Sequence, residues 1–354
     1  MTELRKYQFT LITIAPVHIG DGDYYNQKEY IFEDGYYYFP DMGKVYQAIE
    51  KRGEQAVSLF EEFLLQQSNN YRKFRLVNIL NELGVRERNF EGYKIKATGF
   101  ERDRETRGDS GLINNVDSFM KNQFNEPYIP GSSLKGAIRT ILVNEYFKKD
   151  NVIKGQNRNP QAIPWGAGRK NERPDDIFHN IRVSDSEPLK LDDLIIAQKL
   201  DYSVRKDKIN PIPLYRESLK PLTSVRFTIT CEGKLANELI GNLSEYANNH
   251  YDHYKKHFLN ELKRNYRQPD FENTIYIGAG SGIWTKTFID EANTDHLTDK
   301  RRNRRTTMEG KGVYKLTKAI KDEIKLKSGS RQILNNKANL YEMGKCFFLI
   351  KELK

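Results

Sequence analysis

Residues 6–20, KYQFTLITIAPVHIG, alternate apolar and polar side chains over the first half of the run. Tyr7, Phe9 and Leu11 fall on one side of an extended chain, and the residues between them fall on the other. This period of two is typical of a half-buried β-strand. We therefore predict that the chain begins with a strand that lies inside a sheet.

The segments that follow contain a hairpin, a helical region and two insertions. In YIFEDGYYYFP, residues 30–40, the Asp34-Gly35 pair accepts the positive φ of a tight hairpin turn. Residues 44–83 have a mainly helical pattern. Residues 92–111 and 154–176 mix Gly with charged or polar residues without a period, which predicts exposed insertions between elements.

The second half of the sequence repeats this mixture of strands and helices. Residues 223–233, TSVRFTITCEG, alternate like a strand, residues 236–266 carry one apolar stripe at helical spacing, and KCFFLIKEL closes the chain as a strand. The order predicts an α+β protein whose antiparallel sheets carry helices on one face. Two ferredoxin-like (RRM-like) halves with long insertions fit this order of elements. Three prolines mark the boundary, which divides the chain into residues 1–220 and 221–354.

Charge and cysteine content restrict the class of protein. The 354 residues carry a net charge of +10, and the estimated pI of 9.2 makes a polyanion the first partner to consider, although basic charge also serves solubility alone. Cys231 and Cys346 lack CxxC spacing, so the sequence predicts neither a disulfide framework nor a zinc site. Because no apolar run approaches the ~20 residues of a membrane span, we expect a soluble, cytoplasmic protein without a cofactor.

Residues 127–147, PYIPGSSLKGAIRTILVNEYF, change from a rigid turn to an apolar helix. Pro130 and Gly131 allow a sharp change of direction, after which Ser132 or Ser133 can cap the helix. Free N–H groups at a helix start attract phosphate oxygens, as do hydroxyls and cations. The phosphate-binding candidates in this stretch are Gly131, Ser132, Ser133, Lys135, Gly136 and Arg139.

The same residues suggest two other interpretations. A nucleotide P-loop is excluded because that motif places Lys directly after its second Gly, whereas Lys135 precedes Gly136. A capped helix with a tight glycine contact to its own sheet explains the stretch without any ligand. The sequence alone leaves phosphate binding and this purely structural interpretation both open.

Five short motifs occur in an order that resembles the RAMP superfamily of CRISPR proteins. They are HIGDG at 18–22, YIPGSSLKGAIRT at 128–140, VSDSE at 183–187, YRESL at 215–219 and IGAGSG at 277–282. The resemblance spans the chain, and the chain length, the long connecting segments and the closing MGKCFFLIKEL look most like the family of the fifth Csm subunit of the type III-A effector complex. This resemblance implies ferredoxin-like, RRM-like domains.

The resemblance also implies that a glycine-rich loop near the end of the fold contacts guide RNA. The matching residues are Gly278, Gly280, Ser281 and Gly282, and Lys286 adds charge nearby. Residues without a Cβ let backbone N–H groups approach phosphates, although an ordinary turn with a β-bulge has the same composition. Trp284 is a candidate for base stacking, with a core position as the simpler explanation.

His18 lies where the first strand is expected to leave the sheet, a position from which its side chain can reach RNA and donate to phosphate. Some related CRISPR-processing endoribonucleases use histidine, so the alternative function is a metal-independent CRISPR RNA endoribonuclease with His18 as general base. Asp21 and Asp23 are predicted to form a turn and not to bind metal. The preferred interpretation includes no catalytic residue and no metal.

Residues 300–331 form the densest basic segment, with 12 Lys and Arg against 3 acidic residues. Arginines in such a run can bind phosphates with release of counterions, but a solvated loop explains the run equally well. The candidates for RNA contact here are Arg301, Arg302, Arg304 and Arg305.

The resemblance implies a non-catalytic RNA-binding subunit that caps one end of a Csm filament, binds the 3′ part of the CRISPR RNA and supports its maturation in antiviral defence. We expect it to grip the RNA backbone, because spacer sequences vary. The expected partners are CRISPR RNA, other Csm subunits, above all the backbone RAMP subunit, and host trimming nucleases. No membrane partner is expected.

Overall fold

The computed structural model describes residues 3–66, 75–96, 113, 115–146, 177–203, 207–259, 262, 266–282, 284–286, 297–299, 304–306, 313–318 and 340–354. The strands in these ranges are β1 (Leu4–Thr13), β2 (Gly20–Tyr25), β3 (Ile31–Glu33), β4 (Tyr36–Phe39), β5 (Tyr93–Lys96), β6 (Val116–Phe119), β7 (Ile181–Val183), β8 (Leu194–Ser203), β9 (Lys208–Leu219), β10 (Ser224–Glu232), β11 (Thr274–Tyr276), β12 (Leu297–Asp299), β13 (Arg304–Thr306), β14 (Val313–Lys318), β15 (Leu340–Glu342) and β16 (Lys345–Leu353). The α-helices are α1 (Met42–Glu50), α2 (Glu54–Leu65), α3 (Leu76–Glu82), α4 (Gly131–Tyr146), α5 (Lys234–Gly241) and α6 (Leu243–Tyr254). None of the helices in these ranges is long and apolar enough to span a membrane.

The first strand is a central strand of a five-stranded antiparallel sheet with the order β11-β16-β1-β10-β7. Phe9 lies opposite Phe227 of β10 on one side and Ile350 of β16 on the other. Tyr7, Phe9 and Leu11 are buried, whereas the residues between them are more exposed. The prediction of a half-buried strand inside a sheet is confirmed.

Four strands of this sheet and the helices between them follow the order of a ferredoxin-like unit. Along the chain come β1, α4, β7, β10, the pair α5 and α6, and finally β16, while the order across the sheet is β16-β1-β10-β7. This is the βαββαβ pattern, and it draws strands from both sides of residue 220. The predicted α+β class with antiparallel sheets is confirmed. The second ferredoxin-like half and the division into residues 1–220 and 221–354 stay predictions.

The helices α4, α5 and α6 cover the face of the sheet that carries Phe9 and Phe227. Residues of α4 such as Leu134 and Ile138 share one hydrophobic cluster with that face. The helix predicted over residues 236–266 divides at Asn242 into α5 and α6, after the glycine that ends α5. Its predicted apolar stripe is buried throughout, at Ile240, Leu243, Ala247, Tyr254, Phe258 and Leu262.

Besides the antiparallel pair β12-β13, two larger sheets complete the described part of the fold. One has the order β15-β14-β8-β9-β6-β2, in which only β6 and β9 pair in parallel, and the other has the order β3-β4-β5. The predicted hairpin is confirmed, because Asp34 and Gly35 turn the chain with φ of 51° and 80°. The predicted insertion 92–111 is wrong at its start, where YKIK alternates and forms β5. Residues 154–176 lie outside the described residues.

Candidate functional site

A glycine-rich turn, residues 277–282, follows β11 and is called the glycine turn below. Gly278, Gly280 and Gly282 have φ of 83°, 86° and 92°, all in the left-handed region. The N–H of Ala279 donates to the carbonyl oxygen of His18 at 2.9 Å. The glycine turn is therefore held against the segment that follows β1.

The side chain of Arg216 lies directly beneath Gly280. A Cβ atom on Gly280 would lie 2.6 Å from Nη1 of Arg216 and 2.7 Å from the sulfur of Met343. Arg216 belongs to β9, and its Nε donates to a carboxylate oxygen of Asp117 at 3.2 Å. Both the positive φ and the lack of space require glycine here, so the turn and the guanidinium fit together as one unit.

A second cation, Lys286, lies within electrostatic range of this guanidinium. Its side chain is exposed at the surface, yet partial burial and then the charge of Arg216 lower the pKa of its ammonium group. An anion bound near Lys286 would offset the effect of the Arg216 charge on it. The glycine turn, Arg216 and Lys286 thus form a positively charged corner with backbone that a ligand can approach closely.

Beneath this corner lies a buried ion pair between Glu217 and Lys121. The carboxylate of Glu217 is fully buried and accepts from the Tyr93 hydroxyl at 2.5 Å and from the N–H of Phe119 at 2.8 Å. Burial and then the charge of Glu217 raise the pKa of the Tyr93 phenol well above its usual range. Because alternate residues of a strand point to opposite sides, this network fixes the strand that presents the preceding residue, Arg216.

His18 is buried between these two features, with an exposed fraction of 3%. Its Nδ1–H donates to the carbonyl oxygen of Glu217 at 2.6 Å, and its ring packs edge-on against Phe119. Burial lowers the pKa of His18 to about 4, so the ring is neutral at pH 7. In this tautomer Nε2 is an acceptor, and a phosphate contact by His18 would require another tautomer or protonation.

The start of α4 is capped by the chain itself. The N–H of Gly131 donates to Oδ1 of Asp185 at 2.8 Å. The N–H of Ile129 donates to Oγ of Ser186, and the N–H of Ser186 donates to the carbonyl oxygen of Ile129, both at 3.0 Å. The two motifs YIPGSS and VSDSE therefore bind one another. The helix begins at Gly131, and its first N–H group meets Asp185, whereas the sequence predicted a cap at Ser132 or Ser133.

Close packing also explains why residue 131 is a glycine. A Cβ atom there would lie 2.3 Å from the carbonyl oxygen of Val183 and 2.5 Å from that of Ser184. This is the tight glycine contact to the chain's own sheet that the structural interpretation predicted. Of the two serines that follow, Ser132 is exposed and Ser133 is half-buried.

The two cations of α4 both contact Phe178, which lies in a short helical turn before β7. Lys135 Nζ donates to the carbonyl oxygen of Phe178 at 2.6 Å, and the Arg139 guanidinium lies 4.7 Å from the centre of its ring. Both side chains are partly buried, as is Gly136 between them. These cations have roles in packing whether or not they also contact a ligand.

Both glycine-bearing corners lie at the same end of the five-stranded sheet. β1 and β11 are each antiparallel to β16, so the segment after β1 and the glycine turn after β11 leave the sheet at one end. The helix α4 begins near this end, beside the chain that leaves β7. Thr285, just beyond the glycine turn, lines one small cavity together with Ala137 and Thr140 of α4.

The remaining predicted residues are placed in part or not at all. Arg301 and Arg302 lie outside the described residues. Arg304 and Arg305 belong to β13, but their side chains lie outside the described part, as does the side chain of Trp284. Within the described ranges, no three His, Cys, Asp or Glu residues are grouped to hold a metal ion. Sequence reasoning missed Arg216, although it stands inside the YRESL motif.

Comparisons with known proteins agree on one family. The profile of the RAMP superfamily matches residues 10–307. A Streptococcus thermophilus protein, CRISPR system Cms protein Csm5, is 44% identical over 99% of both chains, and the protein of that name from Mycobacterium tuberculosis is 28% identical over 81% of this chain and 84% of its own length.

Solved structures show a similar fold. A chain of a cryo-EM Csm-crRNA-target RNA ternary complex of a type III-A CRISPR-Cas system has a TM-score of 0.67 at 17% identity and covers 99% of this chain and 100% of its own. The crystal structure of T. onnurineus Csm5 has a TM-score of 0.59 at 16% identity and covers 96% of this chain and 99% of its own. At these identities the two structures support the fold alone.

Proposed function

The chain belongs to the RAMP superfamily and, within it, to the Csm5 family, and from this premise we propose that it is a non-catalytic RNA-binding subunit of a type III-A CRISPR (Csm) effector complex. In this role it caps one end of the filament and binds the 3′ part of the CRISPR RNA. It thereby supports CRISPR RNA maturation and antiviral defence. Membership in the Csm5 family supports CRISPR RNA and other Csm subunits as partners.

The positively charged corner carries this proposal. Three residues with left-handed φ expose backbone beside Arg216 and Lys286, and such a turn recognises phosphate oxygens through N–H groups and charge. It offers no arrangement of side chains that would read base edges. Recognition of backbone without sequence suits a subunit whose RNA carries variable spacers.

The start of α4 supplies a second, weaker contact in this proposal. The exposed hydroxyl of Ser132 and the helix dipole favour a phosphate, while the capped N–H of Gly131 and the packed Lys135 contribute little unless they leave their present partners. Contact by His18 and by the four arginines of residues 301–305 also stays a prediction, as do the backbone RAMP subunit and trimming nucleases as partners and the location in the cytoplasm.

The alternative enzyme finds no support in the geometry of His18. A general base works best with a pKa near the working pH and within reach of the proton it removes. The pKa of about 4 makes His18 a weak base, and its burial keeps the ring away from a ribose hydroxyl. We therefore place no catalytic residue in the protein.

The test is the RNA content of Csm complexes assembled with Lys286→Ala or with wild-type protein. If the corner binds the 3′ part of the CRISPR RNA, the variant complex holds less RNA at high salt, and its RNA is trimmed further at the 3′ end. For the isolated protein, the slope of log affinity against log salt becomes shallower by about 0.7, the value for one phosphate contact on a single strand.

The matched control is Lys234→Ala, which removes an exposed lysine at the start of α5. It is expected to leave RNA length, retention and salt slope unchanged. Equal effects from both variants would reject the corner as the binding site. New RNA ends carrying 2′,3′-cyclic phosphate after incubation in EDTA, lost with His18→Ala, would instead establish the enzyme.

A further inference from the structure

A second surface combines aromatic rings with lysines on the sheet β3-β4-β5. It is formed by Tyr36 and Tyr38 of β4 and by Lys94 and Lys96 of β5, and is called the aromatic-basic patch below. The strands pair so that Tyr36 lies opposite Lys96 and Tyr38 lies opposite Lys94. The patch belongs to a different sheet from the glycine turn.

The alternation of the strands places these four side chains on the face of the sheet opposite the main core, where Tyr38 also packs against the cluster formed by α1, α2 and α3. Tyr37 and Ile95, which alternate with them, have exposed fractions of 0% and 1% and belong to the main core. Lys94 and Lys96 are exposed, and Tyr36 and Tyr38 are half-buried. Tyr37 and Phe39 of the aromatic run are thus core, Tyr38 packs in part against the helices, and Tyr36 presents part of its ring toward solvent.

The contacts within the patch hold its rings and charges together. Lys94 Nζ lies 4.6 Å from the centre of the Tyr36 ring and 5.7 Å from that of Tyr38, and the two rings are 6.4 Å apart. These are cation–π distances, which fix an ammonium group over aromatic faces. The charge is available to a ligand, because the carboxylate on this face, Glu33, is already paired with Arg88 at 2.7 Å.

We propose that the aromatic-basic patch binds single-stranded RNA, with a base stacked on Tyr36 and phosphates held by Lys94 and Lys96. Proteins that bind single strands without sequence preference combine stacking rings with cations along the backbone, as this sheet does. A protein partner is less well matched, because lysine is depleted at the centres of protein interfaces and two lysines occupy half of the patch. Contact at this patch would extend the RNA-binding surface beyond the glycine turn.

The experiment measures binding of a fluorescein-labelled single-stranded oligouridylate to the full-length chain by fluorescence anisotropy. Tyr36→Ala is expected to weaken binding about tenfold, within the usual range for loss of one stacked base. Tyr36→Phe keeps the ring and retains wild-type affinity. The double variant Lys94→Ala/Lys96→Ala makes the salt slope shallower by about 1.4, the value for two contacts.

The matched control is Lys6→Ala/Lys351→Ala, which removes two exposed lysines from the outer face of another sheet, where no ring contacts them. Its salt slope stays at the wild-type value. All variants are repeated in a Lys286→Ala background, so that failure of the glycine turn as an RNA site leaves the effects at the patch measurable. A blunt RNA duplex serves as the second probe, and Tyr36→Ala leaves its binding unchanged because its bases are not free to stack.

Three results would overturn the proposal. Wild-type affinity of Tyr36→Ala for the single strand would exclude stacking, and an equal change in slope for the control pair would reduce the effect to net charge. Loss of Tyr36→Ala protein from assembled Csm complexes, with oligouridylate binding intact, would identify the patch as a protein interface. The lysine variants touch no core residue, so they remain informative if Tyr36→Ala fails to fold.

Discussion

The start of α4 and the glycine turn contain the same kinds of residue, yet the fold treats them differently. At α4 the first N–H group donates to Asp185, and the cations Lys135 and Arg139 contact Phe178. At the glycine turn the cations are Arg216 and Lys286; burial and then the charge of Arg216 lower the pKa of Lys286, whose side chain is exposed. Both corners lie at one end of one sheet.

The comparison shows that a motif's composition does not decide whether its donors are available. Glycine, serine and lysine at α4 fit a phosphate site, but the paired motif VSDSE supplies a carboxylate that satisfies the same N–H group. At the glycine turn the supporting ion pair lies below the surface, Arg216 is paired with Asp117 beneath Gly280, and Lys286 is the exposed cation. What separates the two corners is the partner each one meets in the fold.

The largest expected effect is on the free energy of unfolding, and it comes from the buried ion pair that supports the glycine turn. Glu217→Ala leaves Lys121 buried without its carboxylate, which costs about 3–5 kcal/mol of unfolding free energy for a buried pair. Urea denaturation measures this loss of stability, with Glu82→Ala, an exposed residue at the end of α3, as control. A loss below about 1 kcal/mol would show that the ion pair does not support the turn.

The next effect is a dependence of stability on pH through His18. Its pKa of about 4 in the folded chain lies below the unfolded value of about 6.5, so between these pH values the unfolded state binds more protons. The free energy of unfolding therefore falls as pH decreases from about 6.5 to 4, by about 3 kcal/mol from this group. His18→Gln removes that part of the slope in urea denaturation, and identical slopes for both proteins would contradict the burial of His18.

A smaller effect distinguishes a steric clash from backbone strain at the glycine turn. Gly280→Ala introduces a Cβ 2.6 Å from Arg216, whereas Gly22→Ala meets nothing within 4 Å at a similarly positive φ. Both variants should lose about 1–2 kcal/mol of stability, but only Gly280→Ala should weaken RNA binding, because it displaces the guanidinium. Equal RNA affinities would show that Arg216 is not part of the site.

The smallest expected effect concerns the start of α4. Asp185→Ala removes the carboxylate that caps Gly131 and is expected to cost about 1 kcal/mol, as loss of a helix cap usually does. RNA affinity should remain at the wild-type value, since the backbone of Gly131 still lies close to the backbone of Val183 and Ser184. Filter binding measures the RNA affinity. A tenfold gain in affinity would show that the main site is the start of α4 and not the glycine turn.

Local patterns predicted much of the fold. The alternation of Tyr7, Phe9 and Leu11 and the turn at Asp34-Gly35 depend on neighbours in sequence, and both appear as expected. The ferredoxin-like order could not be read in this way, because β1 pairs with β16 at the far end of the chain. Such long-range pairing leaves no local pattern, so the predicted division near residue 220 rested on prolines alone.

The candidate site was predictable in its glycines but not in its charges. The IGAGSG motif indicated a turn, and three positive φ angles match it. Arg216 appears in the sequence as one polar residue of a strand, and only the fold places it beneath Gly280. Asp185 likewise reaches Gly131 across more than fifty residues, so its capping role could not be read from spacing.

Cross-linking of 4-thiouridine-containing CRISPR RNA within the assembled complex, followed by mass spectrometry of the linked peptides, tests the central claim most directly. We predict that the 3′ part of the RNA links to the peptide carrying Gly278, Gly280 and Lys286 more strongly than to the peptide carrying Ser132 and Lys135. Links confined to the α4 peptide, or to neither corner, would contradict the account.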